Sequence, residues 1–154
     1  YGDKVSAMER FCENFHRLPN SVKSRLTVEN DDKATMYSVK DLYEGVYCKI
    51  GIPIVFDYHH HRFCTGGLSE EDALEVAIST WGDVVPVVHY SESRNIEQED
   101  DKIRPQAHSD YVYDYIDTYG NEVDIMVEAK HKELAVLKYK EIHYNEEEEV
   151  LGHA

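Results

Sequence analysis

Residues 53–64 combine the pattern of a buried strand with the side chains of a divalent-metal site. The apolar run Ile54–Phe56 is followed at once by Asp57 and by three consecutive histidines at positions 59–61. A carboxylate together with imidazoles suits Zn, Mn or Fe. Adjacent side chains on extended backbone point in opposite directions, so the three histidines cannot all bind one ion. Asp57 and His60 are the pair that we expect to share it.

Three further apolar runs also have polar side chains directly after them. These runs cover residues 26–28, 84–88 and 123–127, at similar intervals along the chain. In a barrel of parallel strands the carboxyl ends meet at one face, so the polar side chains are expected to converge. They are Glu29–Asp32 after the first run, Asp57–His61 after the second, His89 after the third, Glu128 and Lys130 after the fourth, and His108 in the loop beyond the third.

Helical patterns separate these runs. Apolar residues recur at helical spacing over residues 4–16 and 38–50, Ser69 is expected to cap a helix that reaches Trp81, and a last helix follows Lys130. Alternating strands and helices predict an α/β fold with a parallel sheet, of the (β/α) barrel type. Four such units make half of an eight-stranded barrel, which would leave sheet edges unpaired.

Composition favours one folded domain with an acidic surface. The chain has 154 residues and a formal charge of -15, and we expect residues 1–145 to form the domain and residues 146–154 an acidic tail. Such a charge is hard to reconcile with a nucleic-acid partner but does not exclude one, because phosphate binding normally uses clustered Lys and Arg and bound cations would neutralise part of the charge. No apolar run approaches the roughly 20 residues that span a bilayer, so no membrane partner is expected.

The cysteines and the first residue bear on the origin of the chain. Three widely spaced cysteines fit reduced thiols, so we expect an intracellular protein, cytoplasmic or nuclear. The chain begins at Tyr1 without an initiator Met, which indicates a processed product or a fragment.

Five motifs in the same order give the chain a family resemblance. It resembles the C-terminal half of ultraviolet-damage endonucleases, which are single-protein DNA-repair enzymes with a TIM-type barrel. The combination is an END triplet, DxxH, HxS, HSD and EAK, and it extends over nearly the whole chain. The matching stretches are residues 26–32, 53–61, 80–91, 107–111 and 123–130.

The resemblance implies an activity, a cofactor and a ligand set. The implied reaction is hydrolysis of the phosphodiester on the 5′ side of a pyrimidine photoproduct in double-stranded DNA, with Mn ions, or alternatively Zn or Mg, at the carboxyl face of the barrel. Some members use a modified lysine as a ligand where this chain has Val87, which offers no donor atom. Carried onto matching positions, the ligands are Glu29, Asp57, His60, His89, His108 and Glu128.

Four other residues have competing interpretations. Lys130 is equally consistent with a functional role, as a phosphate contact or as charge balance beside Glu128, and with the first exposed position of the last helix. Ser91 could donate to a phosphate, but a capping or turn role is favoured. Trp81 is favoured as a core residue over a base-stacking one. Tyr58, expected to be exposed beside the histidines, is the better candidate for stacking on a base.

The leading hypothesis is a metal-dependent DNA-repair endonuclease of which this chain supplies about strands 5–8. The partner is then the missing N-terminal half, and the chain alone is expected to bind metal weakly and to be inactive. Apurinic-site endonucleases and sugar isomerases share such ligands and form the second hypothesis. A third is a noncatalytic metal-binding module that pairs its sheet edges with a second copy.

Overall fold

The computed structural model describes residues 3–152, with side chains through residue 144. Its strands are β1 (Val28–Glu29), β2 (Ile54–Asp57), β3 (Val87–Tyr90) and β4 (Asp124–Val127). The helices are α1 (Lys4–Phe15), α2 (Asn20–Lys23), α3 (Val39–Leu42), α4 (Cys48–Ile50), α5 (Tyr58–His61), α6 (Glu70–Ser79), α7 (Arg94–Glu97) and α8 (Glu133–Gly152), with a π-helical segment (Tyr43–Tyr47) that joins α3 to α4.

The four strands form one parallel sheet in the order β1-β2-β3-β4. Val28 is level with Ile54, Asp57 with His89, and Val88 with Ile125. Because every strand runs in the same direction, all four carboxyl ends lie at one edge of the sheet. The predicted α/β fold with a parallel sheet is therefore confirmed, and the sequential order is that of consecutive strands in a barrel.

The helix predictions are confirmed to within a few residues, and their ends have clear physical causes. Asp3 caps α1 and Ser69 caps α6 by accepting hydrogen bonds from backbone N–H groups. Gly51 ends the 39–50 helical stretch with φ +74°, a left-handed conformation that favours glycine. The chain then turns directly into β2.

One strand boundary was predicted wrongly. The run Val84–Val88 was expected to be a strand from its first residue, but β3 begins at Val87, and Val84 and Val85 are 63% and 39% exposed. Val84 N–H instead donates to the Trp81 carbonyl in the turn after α6. Pro86 has no N–H to contribute to a ladder, so the strand starts after it.

The core lies between the sheet and the helices that cover it. Every residue of β2 is buried, and the side chains of Ile54 and Phe56 are fully inaccessible. Leu74 of α6 and Val88 of β3 pack into the same cluster. Trp81 donates from its indole N–H to the Ile54 carbonyl at 2.8 Å, which supports the structural role predicted for it.

The remaining sequence-based expectations concern thiols, membrane spans and the tail. Cys12, Cys48 and Cys64 are free thiols, as expected. Within residues 3–152, no helix has both the length and the apolar character needed to cross a bilayer. Helix α8 continues to Gly152 through most of the segment expected to be an acidic tail, whose side chains lie outside the described part of the chain.

Candidate metal centre

Four side chains, one from each strand end, converge at the carboxyl edge of the sheet. Glu29 ends β1, Asp57 ends β2, His89 lies in β3 and Glu128 follows β4. One ligand atom from each of these residues lies within 4.8 Å of the others. We call these four residues the strand-end cluster. Their convergence follows from the parallel sheet, because neighbouring strands end side by side.

His89 lies between the two glutamates of the strand-end cluster. Its Nδ1–H donates to Glu29 Oε1 at 3.2 Å, and the same nitrogen is 3.0 Å from Glu128 Oε1. The hydrogen bond to Glu29 raises the pKa of His89 against the opposing effect of burial. The imidazole and the two carboxylates are therefore already close enough to share a cation.

Asp57 is the most deeply buried member of the strand-end cluster. Its side chain is 0% exposed. Its Oδ1 caps α5 by accepting a hydrogen bond from the His60 N–H at 2.9 Å. Its Oδ2 has no hydrogen-bond partner among the described residues. Burial, with Glu29 nearby, raises the pKa of Asp57 to about 7. Burial alone would also raise the pKa of Glu29, but the hydrogen bond from His89 holds it at about 2.

The donor set of the cluster fits a divalent cation. Three carboxylates and an imidazole meet there, and no lysine or arginine within residues 3–144 forms an ion pair with those carboxylates. A buried carboxylate oxygen without a partner is costly unless a cation or a proton satisfies it. Oxygen donors with one nitrogen donor suit Mn, Mg or Zn better than a thiolate-selective metal.

His60 lies beside the cluster but on a different backbone from the one predicted. Residues 58–61 form the short helix α5 instead of extended chain, so the reasoning from alternating side chains was wrong for this segment. His60 is nevertheless next to Asp57, with Nδ1 3.6 Å from Asp57 Oδ2. That nitrogen donates to the Asn30 carbonyl at 2.7 Å, which leaves Nε2 as the ring atom with a free lone pair.

His108 approaches the cluster from the long loop between β3 and β4. Its Nε2 is 3.6 Å from Glu128 Oε2, and burial lowers its pKa, which favours the neutral imidazole that metals bind. An isolated antiparallel β-bridge between the backbones of Ser93 and His108 fixes the loop at this point. All six predicted ligands therefore lie in one region, four in the cluster and His60 and His108 at its two sides.

The other two histidines of the run are structural neighbours, as the sequence indicated. His59 and His61 are only 1% and 4% exposed. His59 donates from Nε2 to the Gln106 carbonyl at 3.2 Å and packs edge-on against His108. Burial lowers the pKa of His59 to about 4, so its ring is neutral at pH 7. The ring thus links α5 to the loop that contains His108.

Three residues predicted to contact substrate have different surroundings. The expectation that Tyr58 is exposed was wrong: it is 1% exposed and donates to the Asp117 carbonyl at 2.8 Å, so its ring cannot stack on a base. Ser91 is fully buried, and its hydroxyl has no partner among the described residues, which supports neither interpretation. Lys130 is exposed but precedes α8, so it is not the first residue of that helix.

Asn30 is a site residue whose role the sequence reasoning did not recognise. The backbone of β1 leaves the sheet at Glu29, and the Asn30 side chain takes over the ladder by accepting from Asp57 N–H at 2.8 Å and donating to the Asp57 carbonyl at 3.1 Å. It is 1% exposed. The sequence did place an amide directly after a strand, between Glu29 and Asp31, and this position could have indicated a hydrogen-bonding role.

Glu92 and Glu97 organise the loop that contains His108. Glu92 accepts from the Tyr90 hydroxyl and from two backbone N–H groups, and Glu97 accepts from the N–H groups of Asp110 and Tyr111. The contacts with backbone N–H groups cannot be predicted from spacing, because they join residues more than ten positions apart.

Comparison with known proteins agrees with this geometry. The family model described as UV-endonuclease UvdE matches residues 1–153. UV DNA damage endonucleases of Bacillus pumilus (strain SAFR-032) and Bacillus mycoides (strain KBAB4) are 40% and 38% identical over 152 and 150 residues, which is 92% and 90% of this chain. A solved structure described as SacUVDE superposes with a TM-score of 0.75 at 35% identity, covering 90% of this chain.

The match covers only part of each relative. The chain spans 45% of the Bacillus pumilus protein, 44% of the Bacillus mycoides protein and 46% of the SacUVDE chain. Identity at this level over nearly the whole of the present chain, together with a shared fold, decides the family. The chain belongs to the UV-endonuclease UvdE family.

Proposed function

We propose that this chain is the C-terminal half of a UV-damage DNA endonuclease, with residues 1–145 supplying strands 5–8 of a TIM-type barrel and residues 146–154 an acidic tail. The observation that carries the proposal is the convergence of Glu29, Asp57, His89 and Glu128 at the carboxyl edge of four consecutive parallel strands. Barrel enzymes build their active sites at that edge. In this proposal the rest of the barrel and the DNA-probing residues correspond to the part of the relatives that this chain does not match.

The proposed cofactor is a set of divalent ions, Mn first, with Zn and Mg as alternatives. The residues that would hold them are Glu29, Asp57, His60, His89, His108 and Glu128. When bound, such ions activate water and stabilise the attacking and leaving oxygens of a phosphodiester. Val87 contributes no ligand, so the site depends on these six residues and on the other half of the barrel.

In the proposed reaction, hydrolysis on the 5′ side of a pyrimidine photoproduct, other residues of this chain orient the metal ligands. Asn30 fixes the backbone of Asp57 with two hydrogen bonds and accepts the His60 Nδ1–H, so that the His60 ring has one orientation. His59 ties the loop of His108 to α5. Because Asp57 is buried away from solvent, its electrostatic attraction for a cation is stronger than it would be in water.

The proposal is tested with a complemented enzyme, in which this chain is combined with the part of the Bacillus pumilus relative that it does not match. We expect the complemented enzyme to nick irradiated duplex DNA in Mn²⁺, and to leave undamaged duplex, abasic-site duplex and sugar phosphates intact. The chain alone should bind Mn²⁺ weakly and not nick, because half of the barrel is absent. A metal-loaded complemented enzyme without nicking activity, or robust nicking by the monomeric chain, would contradict the proposal.

Lys130 is proposed to contact a DNA phosphate. It is exposed two residues after Glu128, and its backbone N–H donates to the Ser109 carbonyl at 2.9 Å, which holds it at the active edge. In the complemented enzyme, Lys130→Ala should weaken duplex binding regardless of sequence and lower the slope of log affinity against log salt by about 1. Lys49→Ala, exposed at the opposite end of the sheet, is the matched control and should change neither quantity.

A further inference from the structure

A cavity at the carboxyl end of β4 contains two of the six proposed metal ligands. It has a volume of about 570 Å³ and lies between the end of β4, the loop of His108 and the start of α8. Its lining includes His108, two glutamates, Glu128 and Glu133, and two lysines, Lys130 and Lys132. Pockets of this size hold small organic ligands. The cavity therefore has room for a ligand directly beside two of the proposed metal ligands.

Lys132 lines this cavity on left-handed backbone. Its φ is +51°, one of three positive values among the non-glycine residues that the structure describes. This conformation is unfavourable for lysine because Cβ crowds the carbonyl oxygen, whereas glycine adopts it freely. The Lys132 N–H donates to the Ala129 carbonyl at 3.1 Å, and the Lys132 carbonyl accepts from the Ala135 N–H at 3.0 Å, which holds the turn. Residues held in such conformations concentrate at binding and catalytic sites.

The ammonium group of Lys132 has no partner within residues 3–144. The side chain is exposed, and the ion pairs and side-chain hydrogen bonds of that part of the chain do not include it. Glu133, the acidic neighbour in the cavity, is in the first turn of α8, where the helix dipole stabilises a negative charge. Glu128 contacts the imidazoles of His89 and His108. The cation of Lys132 is therefore available to an anionic ligand.

We propose that Lys132 binds a non-bridging oxygen of the DNA phosphodiester that lies at the metal centre. The inference rests on the proposed function, because it takes the ligand of the cavity to be that phosphodiester. An ammonium group is a compact charge that binds phosphate oxygens through strong hydrogen bonds. A fixed cation also stabilises the charge that develops on the phosphate during cleavage. Glycine would suit the backbone better than lysine but would remove this cation.

Substitutions at Lys132 separate its backbone from its charge. Lys132→Gly removes the unfavourable conformation together with the ammonium group, Lys132→Asn replaces the charge by a side chain that tolerates left-handed backbone, and Lys132→Arg keeps the charge. In denaturant, metal-free Lys132→Gly should unfold at the same or a higher concentration than the wild type. Glu99→Gly is the matched control, because Glu99 is exposed, also has a φ of +51° and does not line the cavity.

Two measurements on the complemented enzyme test the contact. Calorimetric titration of the Mn²⁺-loaded protein with dimethyl phosphate, a minimal phosphodiester, needs no nicking activity. Lys132→Gly and Lys132→Asn should bind it about tenfold more weakly or worse. At saturating irradiated duplex, the same two variants should nick roughly 100–1,000-fold more slowly. Lys132→Arg should retain most of both properties, and Glu99→Gly should change neither.

The outcomes separate this contact from the proposed function. A wild-type complemented enzyme that does not nick, but binds dimethyl phosphate in a way that depends on Lys132, would contradict the nuclease and support the contact. A wild type that does not bind dimethyl phosphate would exclude the contact, as would a Lys132→Gly enzyme that binds it or nicks DNA as the wild type does. A loss that Lys132→Arg shares, or that Glu99→Gly reproduces, would assign the effect to the backbone and also exclude the contact.

Discussion

Replacing Asp57 with asparagine is expected to abolish divalent-cation binding and at the same time to stabilise the metal-free chain. The substitution keeps an oxygen that can cap α5 but removes the negative charge from a fully buried position beside Glu29. Loss of a metal-binding carboxylate should lower nicking by the complemented enzyme by roughly 100-fold or more. The same charge destabilises the empty site, so its removal should raise the free energy of unfolding at pH 8 by about 2 kcal/mol.

The direction in which the stability of the metal-free chain changes with pH follows from the raised pKa of Asp57. The pKa of Asp57 is 3.8 as an unperturbed side chain and about 7 in the folded protein, because burial disfavours its charged form. The folded state thus holds a proton that the unfolded state has lost throughout that interval, and metal-free stability falls as pH rises from about 4 to 7. The advantage of Asp57→Asn should be largest above pH 7 and vanish below about pH 4.

Denaturant unfolding with a chelator at several pH values, and calorimetric titration with MnCl₂, measure the two effects separately. Asp83→Asn is the matched control, since Asp83 is exposed in the turn between α6 and the amino end of β3, whereas the cluster lies at the carboxyl ends of the strands. It should leave both measurements unchanged. An Asp57→Asn chain that binds Mn²⁺ as the wild type does would remove Asp57 from the proposed ligand set.

How much of this site the sequence could predict depends on which physical rule governs each part. Glu29, Asp57, His89 and Glu128 could be found because parallel strands must end together and each residue follows an apolar run. The expectation for Tyr58 failed because helix α5 starts directly at the end of β2 and turns that ring into the core. A four-residue helix has too few positions to show a period, so no pattern could reveal it.

The long connection between β3 and β4 was the least predictable part of the fold. Over residues 91–123 the only helix in the structure is α7, and hydrogen bonds to Glu92 and Glu97 define the path. The sequence pattern gave His108 only as a loop imidazole after the third strand, and its role as a ligand came from the family resemblance. Side chains that bind backbone groups more than ten residues away follow the finished fold, and local propensity carries no information about them.

Asn30→Leu is expected to cause the largest loss of stability among the site residues and to weaken metal binding without abolishing it. Leucine is close to asparagine in size, but it can neither accept from the Asp57 N–H nor donate to the Asp57 carbonyl. Two buried backbone groups would lose their partners at about 1–3 kcal/mol each, for a total of about 2–6 kcal/mol. That is a large fraction of the stability of a domain of this size.

The same substitution separates a positioning residue from a ligand. Because the Asn30 side chain acts through the backbone of Asp57, Asn30→Leu should lower Mn²⁺ affinity roughly 10–100-fold. Nicking by the complemented enzyme should then recover partly as Mn²⁺ is raised, whereas Asp57→Asn should show no recovery. Asn20→Ala, at an exposed position on α2, should change stability by less than about 0.5 kcal/mol. If Asn30→Leu unfolded at the wild-type denaturant concentration, the hydrogen bonds from the Asn30 side chain would not stabilise the site. Asp57 would then be held only by its strand pairing with His89 and by its cap on α5.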